Sequence, residues 1–339
     1  MAIPVSDNFH ASPMCLIYNM INTLSTLLFF IPLHLRIKTV WYCLPKQYIL
    51  YYIIRDKIVP LFKKRFKEMR SVTIMKKSSS ARNTHKNIVS CSNVERFLAA
   101  CERIIHTEHI ENGIGTLSEK TVHSVLKHYL EPDTGFHEVK TGRYVADIRT
   151  PDGIYEIQTR QFNKLRNKLE AFLPEYSVTV VYPIPHIKYL RWIDGQTGEI
   201  SPARKSPKKG VFQSVFYELY KIKPYITHPN FHLLLMLIDL EEYRFLNGYS
   251  KDRKKGSTRS DRIPTALYAS ETIMSVDDYK KLIPDELDDT FTAKDFAKAC
   301  HVNMTIAQPA VNVLTHVGAL KHIGKRGQAY LYQRSTAPK

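Results

Sequence analysis

The chain has 339 residues, 44% of them hydrophobic and 24% charged, the make-up of a globular protein with room for two or three domains. Forty-nine Lys and Arg against 32 Asp and Glu leave a formal net charge of +17, which points to a polyanionic partner, either nucleic acid or an anionic membrane surface. The five cysteines (Cys15, Cys43, Cys91, Cys101, Cys300) are scattered without a C-x-x-C pair; this excludes a disulfide framework and a zinc knuckle and fits a reducing cytosol.

From Ala11 to Leu35 no Lys, Arg, Asp or Glu occurs, and Leu24 to Ile31 is strongly apolar. The run is long enough for a membrane span of ~20 residues but lacks the flanks of a secretory signal. If it spans, the Lys and Arg that follow hold the later domains in the cytoplasm. Asn19, Asn22, Pro32 and His34 equally suit a buried or interfacial helix, and Met69 and Met75 offer later native starts. Residues 1–75 are therefore read as an apolar and basic N-terminal region, a membrane segment or a non-native extension, and 76–90 as a linker.

A central domain is expected over 91–285. His106 and His109 flank Glu108 but have no further ligand at metal spacing, so they read as surface histidines. Thr116-Leu117-Ser118-Glu119 fits a capping box opening a helix to Leu130, stopped by Pro132 and Gly135. Two short strands follow, Phe136 to Lys140 and Tyr144 to Thr150. The turn Pro151-Asp152-Gly153 leads to a third strand, Ile154 to Thr159. Phe162, Leu165, Leu169 and Phe172 then recur at helical spacing, with Lys164, Arg166 and Lys168 among them, and Ser177 to Tyr182 reads as a buried strand.

A turn centred on Pro151 and Asp152 sets Asp147 directly opposite Glu156, with Gln158 and Arg160 on the same side of the strand as Glu156. Facing carboxylates repel unless a cation lies between them, and a hard divalent ion such as Mg²⁺ suits that role. The order of elements and these residues resemble the core of the PD-(D/E)XK nuclease superfamily, over about a fifth of the chain. That resemblance makes Asp147 and Glu156 the metal-holding carboxylates and Glu119 the helix glutamate. Gln158 stands in place of the usual lysine, as in the nuclease-like domain of competence proteins, and Arg160 is placed to restore the lost charge. The fold implied is α/β, a restriction-endonuclease-like mixed sheet with flanking helices.

Two cationic segments follow. One carries Arg204, Lys205, Lys208 and Lys209; the other runs from Lys251 to Arg259 and carries Arg253, Lys254 and Lys255. Both read as loops able to hold phosphates, with the apolar strand Phe231 to Leu240 between them. Phe212, Phe216, Tyr217 and Tyr220 have the spacing of a helix and read as core.

Residues 286–339 form the last expected domain. Thr292 caps a helix, a second helical segment spans Met304 to Gln308, and Pro309 opens a third, Ala310 to Val317. A hairpin then turns at Gly324-Lys325-Arg326-Gly327. This pattern resembles a winged helix-turn-helix. It implies that Gln308, Asn312, Thr315 and His316 face a DNA major groove while Lys325 and Arg326 grip phosphate.

Together these features predict a DNA-binding protein, a Mg²⁺-dependent endonuclease of the cytoplasm that needs no small-molecule cofactor. The alternative is a regulatory DNA-binding protein that keeps the fold without the chemistry. Oligomeric state is not legible.

Overall fold

A computed structural model describes residues 90–111, 120–246 and 256–335. The N-terminal apolar run, Glu119, Arg253, Lys254, Lys255 and the side chains of His106, Glu108 and His109 lie outside the described residues. No described helix is long and apolar enough to cross a membrane.

Helices α1 (Cys91–Glu111) and α2 (Lys120–Leu130) lead into a mixed sheet. Its strands are β1 (His137–Thr141), β2 (Tyr144–Thr150), β3 (Gly153–Ile157), β4 (Val178–Asp194), β5 (Arg204–Lys205), β6 (Phe231–Leu246) and β7 (Ser257–Ile273). The lateral order is β1-β2-β3-β4-β6-β7, with β5 paired to the far part of β4. The first three strands are antiparallel; β4 runs parallel to β3 and to β6, and β7 returns antiparallel. A tight turn at Phe162–Leu165 and helix α3 (Arg166–Phe172) make the crossover from β3 to β4.

Alternation along the buried strands divides the core between two faces. Val181, Ile157, Met236 and Ile238 pack under α1 and α2, on Phe97, Cys101, Val125 and Leu126. Val178, Val180, Leu233 and Leu235 pack against α3 and the one-turn helix α4 (Phe216–Leu219). The latter cluster continues without interruption into Phe296, Ala310 and Leu314 of the C-terminal segment, so the packing shows no break at 285/286.

The C-terminal segment comprises the turn Asp277–Leu282, β8 (Thr290–Thr292), α5 (Ala293–Ala299), α6 (Met304–His316), β9 (Leu320–Arg326) and β10 (Ala329–Arg334). Thr292 caps α5 in a reciprocal box with Asp295. Its strands pair in the order β8-β10-β9.

Several expectations are corrected. The second and third C-terminal helices are one helix, α6, with Pro309 inside it. Asn303 already caps the N-terminus through the Ile306 N–H, so Pro309 forfeits one hydrogen bond rather than starting a new helix. The hairpin loop is Gly327 and Gln328, and Lys325 and Arg326 lie in β9. Tyr217 and Tyr220 are exposed, not core, and carry the ammonium groups of Lys221 and Lys223 over their rings. Arg204 and Lys205 form β5, and Arg259 lies within β7. Arg204, Lys205 and residues 257–259 join the sheet because the prolonged β4 and β6 offer unpaired edges to cover.

Candidate functional site

The site begins at the β2–β3 hairpin. Thr150 pairs with Gly153 and Ile148 with Tyr155 across the Pro151-Asp152 turn, and one further step of that register sets Asp147 across from Glu156. Gly153 holds φ at +146°, and a Cβ there would fall 2.5 Å from the Ser177 carbonyl oxygen. Only glycine lets the hairpin lie this close to the start of β4.

Asp147 and Glu156 line one cleft of about 460 Å³ at the C-terminal end of β3, together with His123, Gln158, Arg160 and Lys168. The Ile157 N–H donates to Asp147 Oδ2 at 2.8 Å. His123 Nε2, from α2, approaches the same oxygen at 3.1 Å. Lys168, from α3, pairs with Glu156 Oε2 at 2.7 Å. Glu156 is 2% exposed and its Oε1 has no hydrogen-bond partner. The Gln158 side-chain amide donates to the Arg160 carbonyl, which fixes its orientation.

The two carboxyls differ in acidity. Burial, then the adjacent Asp147 charge, pushes Glu156 up to about 7 against the opposing pull of Lys168. Burial works in the same direction on Asp147, but His123, the Ile157 N–H and Lys168 outweigh it and hold that carboxyl below its usual value. As pH falls through about 7 Glu156 therefore takes up a proton while Asp147 stays ionised.

Asp147, Glu156, Gln158 and Arg160 are thus brought together by the fold. His123 and Lys168 were not singled out as site residues. Lys168 was legible as one cation of an amphipathic helix, whereas His123 carried no local signal. Among the described residues no group of three or more His, Cys, Asp and Glu side chains is arranged to hold a metal ion. The donors that fit a hard cation are the unpartnered Glu156 Oε1 and the Asp147 carboxylate beside it.

The residues expected to contact DNA lie elsewhere. Arg204, Lys205, Lys208 and Lys209 are exposed on β5 and the loop after it, with Lys209 Nζ 5.9 Å above the Tyr268 ring. Gln308 and Asn312 are exposed on α6, and Asn312 Oδ1 accepts from Lys223 Nζ, which follows α4 in the chain. Thr315 is half-buried, its hydroxyl donating to the Val311 carbonyl. Lys325 is exposed, while Arg326 reaches Asp295 and the Thr290 carbonyl.

Residues 120–274 match a family described as a domain of unknown function (DUF8091). The matched segment runs from the start of α2 to just past β7, so it holds the whole large sheet and the cleft. An uncharacterized protein of Treponema pallidum (strain Nichols) is 28% identical over 222 residues, covering 65% of this chain and 87% of that relative. No solved structure matches.

Proposed function

We propose that the protein is a metal-dependent DNA endonuclease of the cytoplasm, with a nuclease-like core of the PD-(D/E)XK kind and a winged-helix DNA reader. The observation that carries this reading is the meeting of Asp147, Glu156 and Lys168 in one cleft. The order α2, β1, β2, β3, α3, β4, with β4 parallel to β3, supports the nuclease-like core. The strand order β8-β10-β9 around α5 and α6 supports a winged helix.

Asp147 and Glu156 are the residues that would hold Mg²⁺. When bound, the ion supplies a polarised water and offsets charge growing on the scissile phosphate. Lys168 keeps Glu156 Oε2 in place and provides the positive charge that Gln158 lacks. His123 steadies Asp147, and the Gln158 amide, held by the Arg160 carbonyl, orients water within the cleft. Glu119 would add an outer carboxylate. Gln308, Asn312 and Thr315 would face bases while Lys325 and Arg326 hold phosphates.

The direct Lys168–Glu156 ion pair favours a second reading. There the protein's own cation neutralises the carboxylates, and the chain binds DNA without cutting it. Plasmid nicking separates the two. Wild type is expected to nick supercoiled DNA with Mg²⁺ or Mn²⁺, and Asp147→Ala to lose at least a hundredfold of that rate. Wild type that binds DNA but leaves it intact with every divalent metal tried would leave the second reading standing.

A further inference from the structure

Beyond Val181 the strands β4, β6 and β7 run on past the end of β3, and their far halves build a second constellation. Its centre is Glu242 on β6, fully buried. Four cations converge on this one carboxylate. Arg244 Nη2 lies 2.8 Å from Oε1; Arg262 Nε, Arg259 Nε and Lys188 Nζ lie 3.1, 3.6 and 3.7 Å from Oε2. Their side chains are each 24–35% exposed, so their charges remain reachable from solvent.

Strand register explains why they share a face. Leu190, Glu242 and Arg262 are directly opposed across β4, β6 and β7, and Arg204 of β5 is opposed to Leu190. On the next rung of that face Trp192, Arg244 and Arg259 are opposed. Opposed residues of neighbouring strands point the same way. The result is a cationic row across four strands with an indole beside it.

Neutralising Glu242 needs one positive charge, and four are present. Glu242 shows the strength of the field: burial opposes its ionisation, yet Lys188, Arg262, Arg244 and Arg259 pull it down to about 2. The cations feel the cost. Burial lowers Lys188 against the pull of Glu242, and repulsion from Arg262, Arg259 and Arg244 adds to the lowering. Burial followed by Arg262 and Arg244 lowers Arg259, and Arg160 adds to that repulsion. Arg160 lines the carboxylate cleft, so the row and the cleft belong to one electrostatic surface. Like charges crowded this way are relieved by a bound anion.

We infer that this face of β4–β7 is a phosphate-binding track that carries the backbone of a nucleic acid toward the Asp147–Glu156 cleft, with Glu242 fixing the cations that grip it. Arg204 on β5, opposed to Leu190, extends the charge one strand beyond the Glu242 cluster, which suits adjacent phosphodiesters better than one small anion, and Trp192 offers a surface on which a base can stack. The inference rests on the DNA-directed reading of the protein but not on cleavage.

The test reads binding alone, with chelator present so that DNA stays intact. Affinity of the full chain for short fluorescein-labelled DNA, single- and double-stranded, is measured by anisotropy across a salt series. Arg244→Ala/Arg259→Ala is expected to weaken binding at least tenfold and to lower the slope of log K against log salt by about 2. Arg204→Ala, which leaves every Glu242 contact in place, is expected to lower that slope by about 1 without changing the melting temperature. Lys140→Ala, an equal loss of charge on β1 at the opposite edge of the sheet, is expected to leave affinity nearly unchanged. Unaltered binding by folded Arg244→Ala/Arg259→Ala and by Arg204→Ala overturns the track while leaving the nuclease proposal intact. Inorganic phosphate that raises the wild-type melting temperature, without any DNA binding, overturns the assignment to nucleic acid. Loss of nicking with this binding pattern retained removes the enzyme reading only.

Discussion

Two carboxyls that share one cleft divide their charge unequally, because each has a different neighbour. Asp147 has an N–H and an imidazole on one oxygen; Glu156 has Lys168 on one oxygen and nothing on the other. The consequence for stability follows in sign. Glu156 is raised to about 7 in the folded state, so between the unfolded value and about pH 7 the native protein holds a proton that the unfolded chain has lost. Stability therefore falls as pH rises through that window, by a few kcal/mol at most. Metal-free protein in chelator is expected to melt several degrees lower at pH 8 than at pH 5. Glu156→Gln removes most of that difference; a wild-type curve flat with pH would contradict it. The Asp147–Glu156 pairing was legible because strands alternate with period two and a Pro-Asp turn fixes the register. His123 and Lys168 come from helices before and after the hairpin, and no spacing rule states where a helix docks.

At the scale of elements, the hairpin turn and the long strands differ most in how far the sequence reveals them. Pro151-Asp152-Gly153 announces its turn, and the register makes Gly153 indispensable. Gly153→Ala is expected to cost about 2 kcal/mol or more, because the new Cβ meets the Ser177 carbonyl at a backbone angle that side chains avoid. Urea denaturation measures it, and an unshifted midpoint would refute it. By contrast β4 was expected to end near Tyr182 but reaches Asp194, and β7 was not expected at all. Both are rich in polar residues and carry prolines, which weaken a local strand signal. Pro264 fits in β7 because it pairs with Leu240 beside a shift in register, on an edge strand. Asp239 serves the irregular stretch of β4 similarly, accepting the Ile187 N–H and facing His186 Nδ1 at 2.8 Å. Such pairing is decided by neighbouring strands, not by the segment's own composition.

At the scale of the molecule, the C-terminal segment is welded to the central one. Phe296 of α5 is fully buried with its ring centroid 6.2 Å from that of Phe216 in α4, and Lys223 reaches Asn312 on the outer side of α6. The described chain is expected to melt in one transition, with Phe296→Ala lowering it as a whole by about 3–5 kcal/mol. Two separate calorimetric transitions would instead indicate independent domains. The sequence by itself determined the net charge, which is a sum over residues, and the Thr292 cap, the hairpin turn and the opposition of Asp147 to Glu156, each of which depends on residues within a few positions of one another. Tertiary structure alone decided which helices bring His123 and Lys168 to the carboxylates, how far β4 and β6 run, and that four cations from three strands close on Glu242. Those outcomes depend on contacts between residues distant in the chain, whose free energy is settled by packing and burial of the whole sheet.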